Sequence, residues 1–459
     1  MQTAPMDVGS QRQLFLDDTW FDSRQRVELK MHQPVIREVA IPNDRPWELG
    51  GMHYSTVVKD GGRFKMWYRS DPGEDSNRDI FSMNCYAESD DGVTWEKPSL
   101  GLRELDGSTD NNVFYPPEGD RSINASVIVD ANAPASERYK MVNRGSVDLL
   151  GYTSPDGLRW TPLESNPIQT ERPFDSHNIL IWDDENKKYV IYMRGVSTSV
   201  TGTFKGGHRS IRRSESADFR TWTRPETVVE ADEADPPGFH FYTNAAVKYP
   251  RAANAFLMFP MVYHSDRQYP GAPQIGLADV QLMSSRDGIS WDRRFREAFI
   301  RPGLDERNWV DRNPIMGAGI LETAPDELSL YFAELLRAGL NKTRIRRCTI
   351  RTDGFVSAHA PYVGWSEFTT PPMTFVGGRL EMNYSTTGGG SILVELQDDS
   401  GTAIPGLGLD DCDVVFGDKI EGPVSWAGSP DVAKFQGRPV RMRVTMRDAD
   451  LFAFRFAEA

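Results

Sequence analysis

The chain has 459 residues, and 52 lysines and arginines face 66 aspartates and glutamates, a formal charge of −14. That acidic balance repels phosphate backbones and argues against nucleic-acid binding, and no run nears the ~18 continuous apolar residues of a membrane span, so neither partner is expected. Three widely separated cysteines, Cys85, Cys348 and Cys412, give neither a disulfide framework nor metal-ligand spacing. With 39 Gly, 30 Pro, 11 Trp, 15 Tyr and 23 Phe, the chain reads as short β-branched and aromatic runs between turn clusters, an all-β pattern. The opening MQTAPMDVGSQRQLF lacks the basic and apolar regions of a signal peptide, so a cytoplasmic location is expected.

In chain order, residues 1–40 read as an extended segment packing at a domain junction. Predicted strands then arrive in groups of three: His53–Asp60, Gly62–Ser70 and Asn84–Ser89; Asn124–Asp130, Arg138–Gly145 and Leu149–Ser154; His177–Asp184, Lys188–Gly195 and Arg209–Ser216. The fourth group is Thr243–Pro250, Ala255–Tyr263 and Asp279–Ser285, and the fifth Ile315–Glu322, Glu327–Glu334 and Ile345–Arg351. Four of the groups close on one phrase: ESDDGVTWEKP (Glu88–Pro98), TSPDGLRWTP (Thr153–Pro162), SESADFRTWTRP (Ser214–Pro225) and SSRDGISWDRR (Ser284–Arg294). A fifth copy, IRTDGF (Ile350–Phe355), lacks the tryptophan. Trp95, Trp160, Trp222 and Trp291 thus recur about every 65 residues. Asp-Gly supplies positive φ for a hairpin turn, and the tryptophan packs the departing strand. A period this long predicts a five-bladed β-propeller over 41–360, since the turns of a β-sandwich recur every ~8–12 residues without such a repeat. From Thr369, alternating segments separated by Gly-rich turns predict a small C-terminal β-sandwich over 369–459.

The run FDSHNILIWDDENKKYVIYMRG (Phe174–Gly195) resembles the invertase-type segment that opens the third blade of the five-bladed glycoside hydrolases, the clan of families 32, 43, 62 and 68. The two-domain layout is similar to that of family 32, and the chain also resembles uncharacterised bacterial family 32-like proteins. The resemblance implies a glycosidase cleaving furanosidic linkages, fructosyl or arabinosyl, in an oligosaccharide or polysaccharide, with paired carboxylates in the propeller funnel. Two departures stand out. PNDRPWELGGMHY (Pro42–Tyr54) carries Asn43–Asp44 but has Arg45 before the proline, and HFYTNAAVKY (His240–Tyr249) holds no glutamate where family 32 places its acid.

In a propeller the first strands line the axial funnel, so residues preceding them are candidates. Asp175 is the leading carboxylate, the alternative being a turn aspartate that caps a strand. Asp44 and Glu48 compete for the second carboxylate, each otherwise a turn residue. Glu334 closes an apolar run and would suit a general acid, unless it pairs with Arg344 or Arg346. Asp120, Arg121, Asp311 and Arg312 fill the same positions in the second and fifth groups. Arg69, Arg144 and Arg194 close second strands, where they bind substrate hydroxyls or a carboxylate, or form ion pairs between blades. Trp47, Trp67 and Trp309 stack on a sugar if exposed. His53, His177 and His240, with Tyr242 and Asn244, start inner strands. His177 and His240 are expected to line the same pocket as Asp175, without a tightly held transition metal and without a cofactor. Two other readings stand beside the hydrolase: a His/Tyr or metal-assisted polysaccharide lyase, and a non-catalytic glycan-binding propeller.

Overall fold

The computed structural model describes residues 4–73, 82–115, 123–197, 207–272 and 274–458. Among them the chain is all-β, its helical pieces being single 3-10 turns. It divides into two units, one of Pro34–Lys248 with Phe256–Thr349, the other of Met1–Gln33, Tyr249–Ala255 and Ile350–Ala459.

In the larger unit each predicted group becomes an antiparallel meander. The first is Gly51–Asp60, Arg63–Asp71, Met83–Ser89 and Val113–Tyr115; the second Ile123–Val129, Tyr139–Arg144, Leu149–Ser154 and Thr161–Pro162. The third is Ile179–Asp183, Lys188–Ser197, His208–Ser216 and Glu226–Val229. The fourth is broken crosswise into two three-stranded sheets, Phe239–Phe241 with Met261–His264 and Leu277–Val280, and Ala246–Lys248 with Phe256–Met258 and Met283–Ser285. Pro260 causes the break, because it has no N–H to donate to the ladder between the two halves. In the fifth, Glu327–Glu334 pairs with Ile315–Met316, Leu321–Ala324 and Arg344–Arg351, and the outermost place is taken by Val35–Ile41 from before the first group. First strands lie beside one another in chain order: Gly51–Asp60 touches Ile123–Val129, which touches Ile179–Asp183, which touches Ala246–Lys248. Ile315–Met316 returns to Gly51–Asp60, and Ala318 exchanges backbone hydrogen bonds with Ser55 and Val57 at 2.7 and 2.9 Å.

The recurring phrase builds one turn four times. Ser89, Ser154, Ser216 and Ser285 each donate Oγ–H to Oδ1 of the aspartate two residues on at 2.9–3.0 Å. That oxygen also accepts two backbone N–H groups at 2.7–2.8 Å. The glycine carbonyl then accepts from an aromatic donor of the preceding group: Trp67 Nε1 to Gly157 at 2.8 Å, Tyr192 Oη to Gly288 at 2.6 Å, and Tyr331 Oη to Gly92. Each glycine has positive φ, and a Cβ on Gly157 would stand 2.9 Å from the Trp67 ring. In these three copies the motif therefore ties a sheet to its neighbour as well as turning the chain.

The smaller unit is one ten-stranded sheet around two long antiparallel strands, Arg379–Asp398 and Val440–Ala457, whose pairing shifts register at Asn383/Tyr384 and Thr386/Ser391. The N-terminal forty residues split. Met6–Gly9, Gln13–Leu14, Ser23–Gln25 and Glu28–Met31 join this sheet, whereas Val35–Ile41 belongs to the larger unit. Its core is aromatic and aliphatic, with Phe375 stacked on Phe456 at 3.7 Å.

Candidate functional site

Antiparallel strands bring the start of a first strand, the end of the second and the start of the third to the same end of a meander. In the third group those positions hold Asp175 and His177, Arg194, and His208 and Arg209. Arg194 Nη1 donates to Asp175 Oδ1, and the Asp175 side chain is 52% exposed while that of Arg194 is 5% exposed. Burial works to raise the Asp175 pKa, but the Arg194 hydrogen bond and charge outweigh it and hold the carboxyl below its ordinary range. The guanidiniums of Arg194 and Arg209 lie over the Tyr242 ring at 4.8 and 5.0 Å, and Arg209 also lies over Tyr263 at 5.9 Å.

The other groups contribute to this cluster. Tyr54 stacks on His177 at 5.4 Å and on the edge of His53 at 4.4 Å. Arg69 bonds Asp71 at 2.9 Å and Asn124 at 3.1 Å, and Asp71 also accepts from Ser82 at 2.6 Å. Arg312 bonds Asp311 at 3.0 Å and acts electrostatically on both Tyr242 and Tyr54. Tyr54, Asn124, Ala245 and Arg312 all have positive φ, and the first two strands bulge between His53 and Thr56 and between Ile123 and Ser126. These bulges re-aim Tyr54 beside His53, where simple alternation would separate them.

The three histidines are buried and neutral. Burial lowers His53 to about 3, helped by the Arg69 charge, and lowers His177 to about 4. His240 falls to about 4 through burial and then Arg209; its Nδ1 accepts the Arg209 backbone N–H at 3.0 Å. His177 Nε2–H donates to the Ala125 carbonyl at 3.2 Å, leaving Nδ1 as an acceptor without a partner. Among the described residues, Arg194 Nη2, Ser176 Oγ, Ser210 Oγ and His208 Nε2 are likewise buried and unpartnered, all at this end of the third group. No group of three or more His, Cys, Asp or Glu among the described residues is arranged to hold a metal ion.

The remaining candidates lie elsewhere in the hydrogen-bond network. Glu48 is 0% exposed; its oxygens accept from Tyr68 at 2.6 Å and Lys97 at 2.7 Å, and burial raises its pKa against the pull of Lys97. Asp44 is exposed and holds the same Lys97 at 2.7 Å. Glu334 binds Arg344 and Arg346, each at 2.6 Å, which is the ion-paired alternative weighed from the sequence. Asn244 braces the third group through the Tyr192 carbonyl at 3.1 Å. Trp47 donates to Asn112 at 2.9 Å and packs on the core, and Trp67 is buried. Arg144 is half-buried and adds its charge to the Asp175 environment. Trp309 lines a separate hollow of about 590 Å³ with His264, Leu277 and Leu304. Asp120 and Arg121 lie outside the described residues. Sequence reasoning missed Arg209, Tyr263, Asp71 and Tyr54. Arg209 escaped because the search stopped at first-strand starts and second-strand ends, although third-strand starts share the same end. Tyr54, Asp71 and Tyr263 lie at the ends that were searched, with no local signal to single them out.

No protein-family profile matches the chain. Two uncharacterized proteins of Mycobacterium tuberculosis, from strains CDC 1551 and H37Rv, are each 31% identical to it over 163 residues, or 34% of this chain and 49% of theirs. The chain thus spans about half the length of the curated relatives it matches. Among solved structures, it is similar to the catalytic domain of the Coprinopsis cinerea GH62 alpha-L-arabinofuranosidase, with 12% identity and a TM-score of 0.46 over 70% of this chain and 98% of that one. It is also similar to an N-acetylgalactosamine deacetylase from F. plautii in complex with blood group B trisaccharide, with 14% identity and a TM-score of 0.47 over 71% of this chain and 96% of that one. A third is an alpha-L-arabinofuranosidase from Podospora anserina in complex with cellotriose, with 11% identity and a TM-score of 0.45 over 70% and 96%.

Proposed function

We propose that the chain is a carbohydrate-active enzyme, a glycoside hydrolase whose site is the Asp175 cluster. In this reading the five meanders are the blades of a propeller, and the smaller unit carries a β-sandwich built on its two long strands. The observation that carries the proposal is the half-exposed Asp175 carboxylate, ion-paired to a buried arginine and surrounded by buried polar atoms without partners. Buried polar atoms in folded proteins are nearly always satisfied, so unmet ones at one end of a sheet call for a ligand rich in both donors and acceptors. A sugar is such a ligand.

Asp175, held ionised by Arg194, serves as the carboxylate that faces the anomeric carbon as nucleophile or base. Asp311 is the second carboxylate, linked to the first through Arg209, on which Asp175 acts, and Tyr263, on which Asp311 acts and over which Arg209 lies. It takes the place in the pair for which Asp44, Glu48 and Glu334 are the candidates from sequence. The linkage cleaved is furanosidic, fructosyl or arabinosyl, as the resemblance of the third group implies. A lyase is the second reading, favoured by the two guanidiniums over the Tyr242 ring and by His240 in the same cluster. A panel of oligosaccharides scored for new reducing ends and for ultraviolet absorbance of an unsaturated product tests both. Reducing ends alone are expected. An unsaturated product installs the lyase, and binding without any product leaves a glycan-binding propeller.

A further inference from the structure

Besides the Asp175 cluster, the larger unit holds the hollow of about 590 Å³ that Trp309 lines, a volume within the range of small-molecule sites. The strand Met261–His264 separates the two. Side chains alternate along a strand, so Tyr263, over which Arg209 lies, faces the cluster, while His264 takes the opposite face and lines the hollow. Trp309 forms one wall, and Leu277 and the fully exposed Leu304 extend it. The indole is firmly set. Its Nε1 donates to the Gly303 carbonyl at 2.8 Å, and Tyr269 braces the ring at 5.6 Å. Buried Asn308 anchors the same loop, donating to the Pro302 carbonyl at 3.2 Å and accepting the Leu335 N–H at 2.9 Å. A second, polar feature belongs to the same hollow. His264 Nε2 and Asp279 Oδ2 stand 3.6 Å apart, with side chains 23% and 26% exposed. That gap is too wide for a good hydrogen bond between them, yet one hydroxyl can reach both at ordinary distances. Arg267 and Arg301, both exposed, complete the charged part of the lining, so the hollow offers donors as well as an acceptor.

We infer that this hollow is a second sugar-binding site, in which a sugar residue lies with its carbon face on Trp309 and one hydroxyl between His264 and Asp279. The inference rests on the carbohydrate reading above and adds a contact with the glycan outside the Asp175 cluster. The negative face of an indole attracts the polarised C–H bonds of a sugar ring, and the two leucines cover the carbons beyond it. Asp279 accepts the hydroxyl proton through a charge-assisted hydrogen bond, and the imidazole nitrogen serves as donor or acceptor to the same oxygen. A purely apolar guest would leave that pair without a partner, and an open-chain polyol would leave the indole uncovered. Because the Trp309 loop is already braced, little side-chain freedom is lost when the sugar arrives.

The test follows the Trp309 indole N–H by heteronuclear NMR in the full chain carrying isotope-labelled tryptophan, with the signal assigned by its loss in Trp309→Phe. The chain is titrated with the methyl glycosides of L-arabinofuranose, D-fructofuranose and D-galactopyranose, and with cyclohexanol as an apolar ring. At least one glycoside is expected to shift that signal saturably, with a Kd of about 10 mM or tighter, and to bind more tightly than cyclohexanol. The shift is expected to persist in Asp175→Asn, and Asp279→Ala to weaken binding about tenfold, with the other indole signals reporting the fold of each variant. No saturable shift with any glycoside, tighter binding of cyclohexanol, unchanged affinity in Asp279→Ala, or loss of the shift in Asp175→Asn overturns the inference. The oligosaccharide panel keeps this separate from the hydrolase reading. Cleavage without a Trp309 shift sinks the second site and spares the hydrolase, whereas a Trp309 shift without cleavage does the reverse.

Discussion

Asp175 and Arg194 divide one job by exposure: the acid meets solvent, and the arginine that keeps it ionised stays buried. Asp175→Asn is nearly isosteric and removes only the charge that, in the proposed glycosidase function, faces an oxocarbenium-like transition state. Its turnover is expected to fall about 10²-fold or more with an unchanged circular-dichroism melt, and retention of a tenth of kcat would return the residue to a structural role. The histidines give a pH signature. Folded His53 and His177 titrate near about 3 and 4, whereas the unfolded chain takes up those protons near pH 6.5. Between those limits the unfolded state binds more protons, so stability present above pH 6.5 is lost as pH falls, by at most about 1.4 kcal/mol per pH unit per histidine. Melting temperature should drop from pH 7 to 5, and His177→Gln should drop less steeply. Parallel slopes for the two proteins would refute the assignment.

At the scale of the element, the S-x-D-G-x-x-W turn was legible because its chemistry is local: serine, aspartate and glycine satisfy one another within a few residues. Its second role was not legible, since the donors reaching the glycine carbonyls, Trp67, Tyr192 and Tyr331, lie 90 or more residues away in sequence. The third copy shows what the glycine supplies. Phe219 stands there with φ +65°, keeps the turn, and fills the space with its own ring. Two substitutions separate conformation from crowding. Gly61 has φ +58° and open space, so Gly61→Ala should cost about 1 kcal/mol. Gly157 has φ +80° with Trp67 2.9 Å from the new methyl, so Gly157→Ala should cost about 2–4 kcal/mol. Equal losses in urea unfolding would show that the contact carries no weight. The site was half legible for the same reason. Asp175, His177, Arg194 and Tyr242 follow from strand order, while Tyr54 reaches the cluster only through a bulge that no local pattern announces.

On the scale of the whole molecule, the five strand groups were readable from the repeat, but the destination of the N-terminal strands was not. Pairing between Val35–Ile41 and Arg344–Arg351 is decided by the shape of the fifth sheet, hundreds of residues downstream. Ile41 and Ile345 are buried opposite each other, and Cys348 lies in the same strand, buried and with its thiol pKa pushed up by burial. Ile41→Asp places a charge in that seam and should open it, making Cys348 reactive toward a thiol reagent that leaves the parent protein unlabelled. An unreactive Cys348 in a destabilised variant would mean that the sheet holds without its last strand. Val35–Ile41 leaves the ribosome early, yet its hydrogen-bonding partner is made near the end of the unit. During synthesis the strand must wait, unpaired and apolar on one side, while four complete groups fold behind it. The last sheet is therefore a timing device: the larger unit cannot finish folding until almost all of it has been translated, and a ribosome that stalls after the fourth group releases a chain in which Val35–Ile41 is still an unpaired, sticky strand.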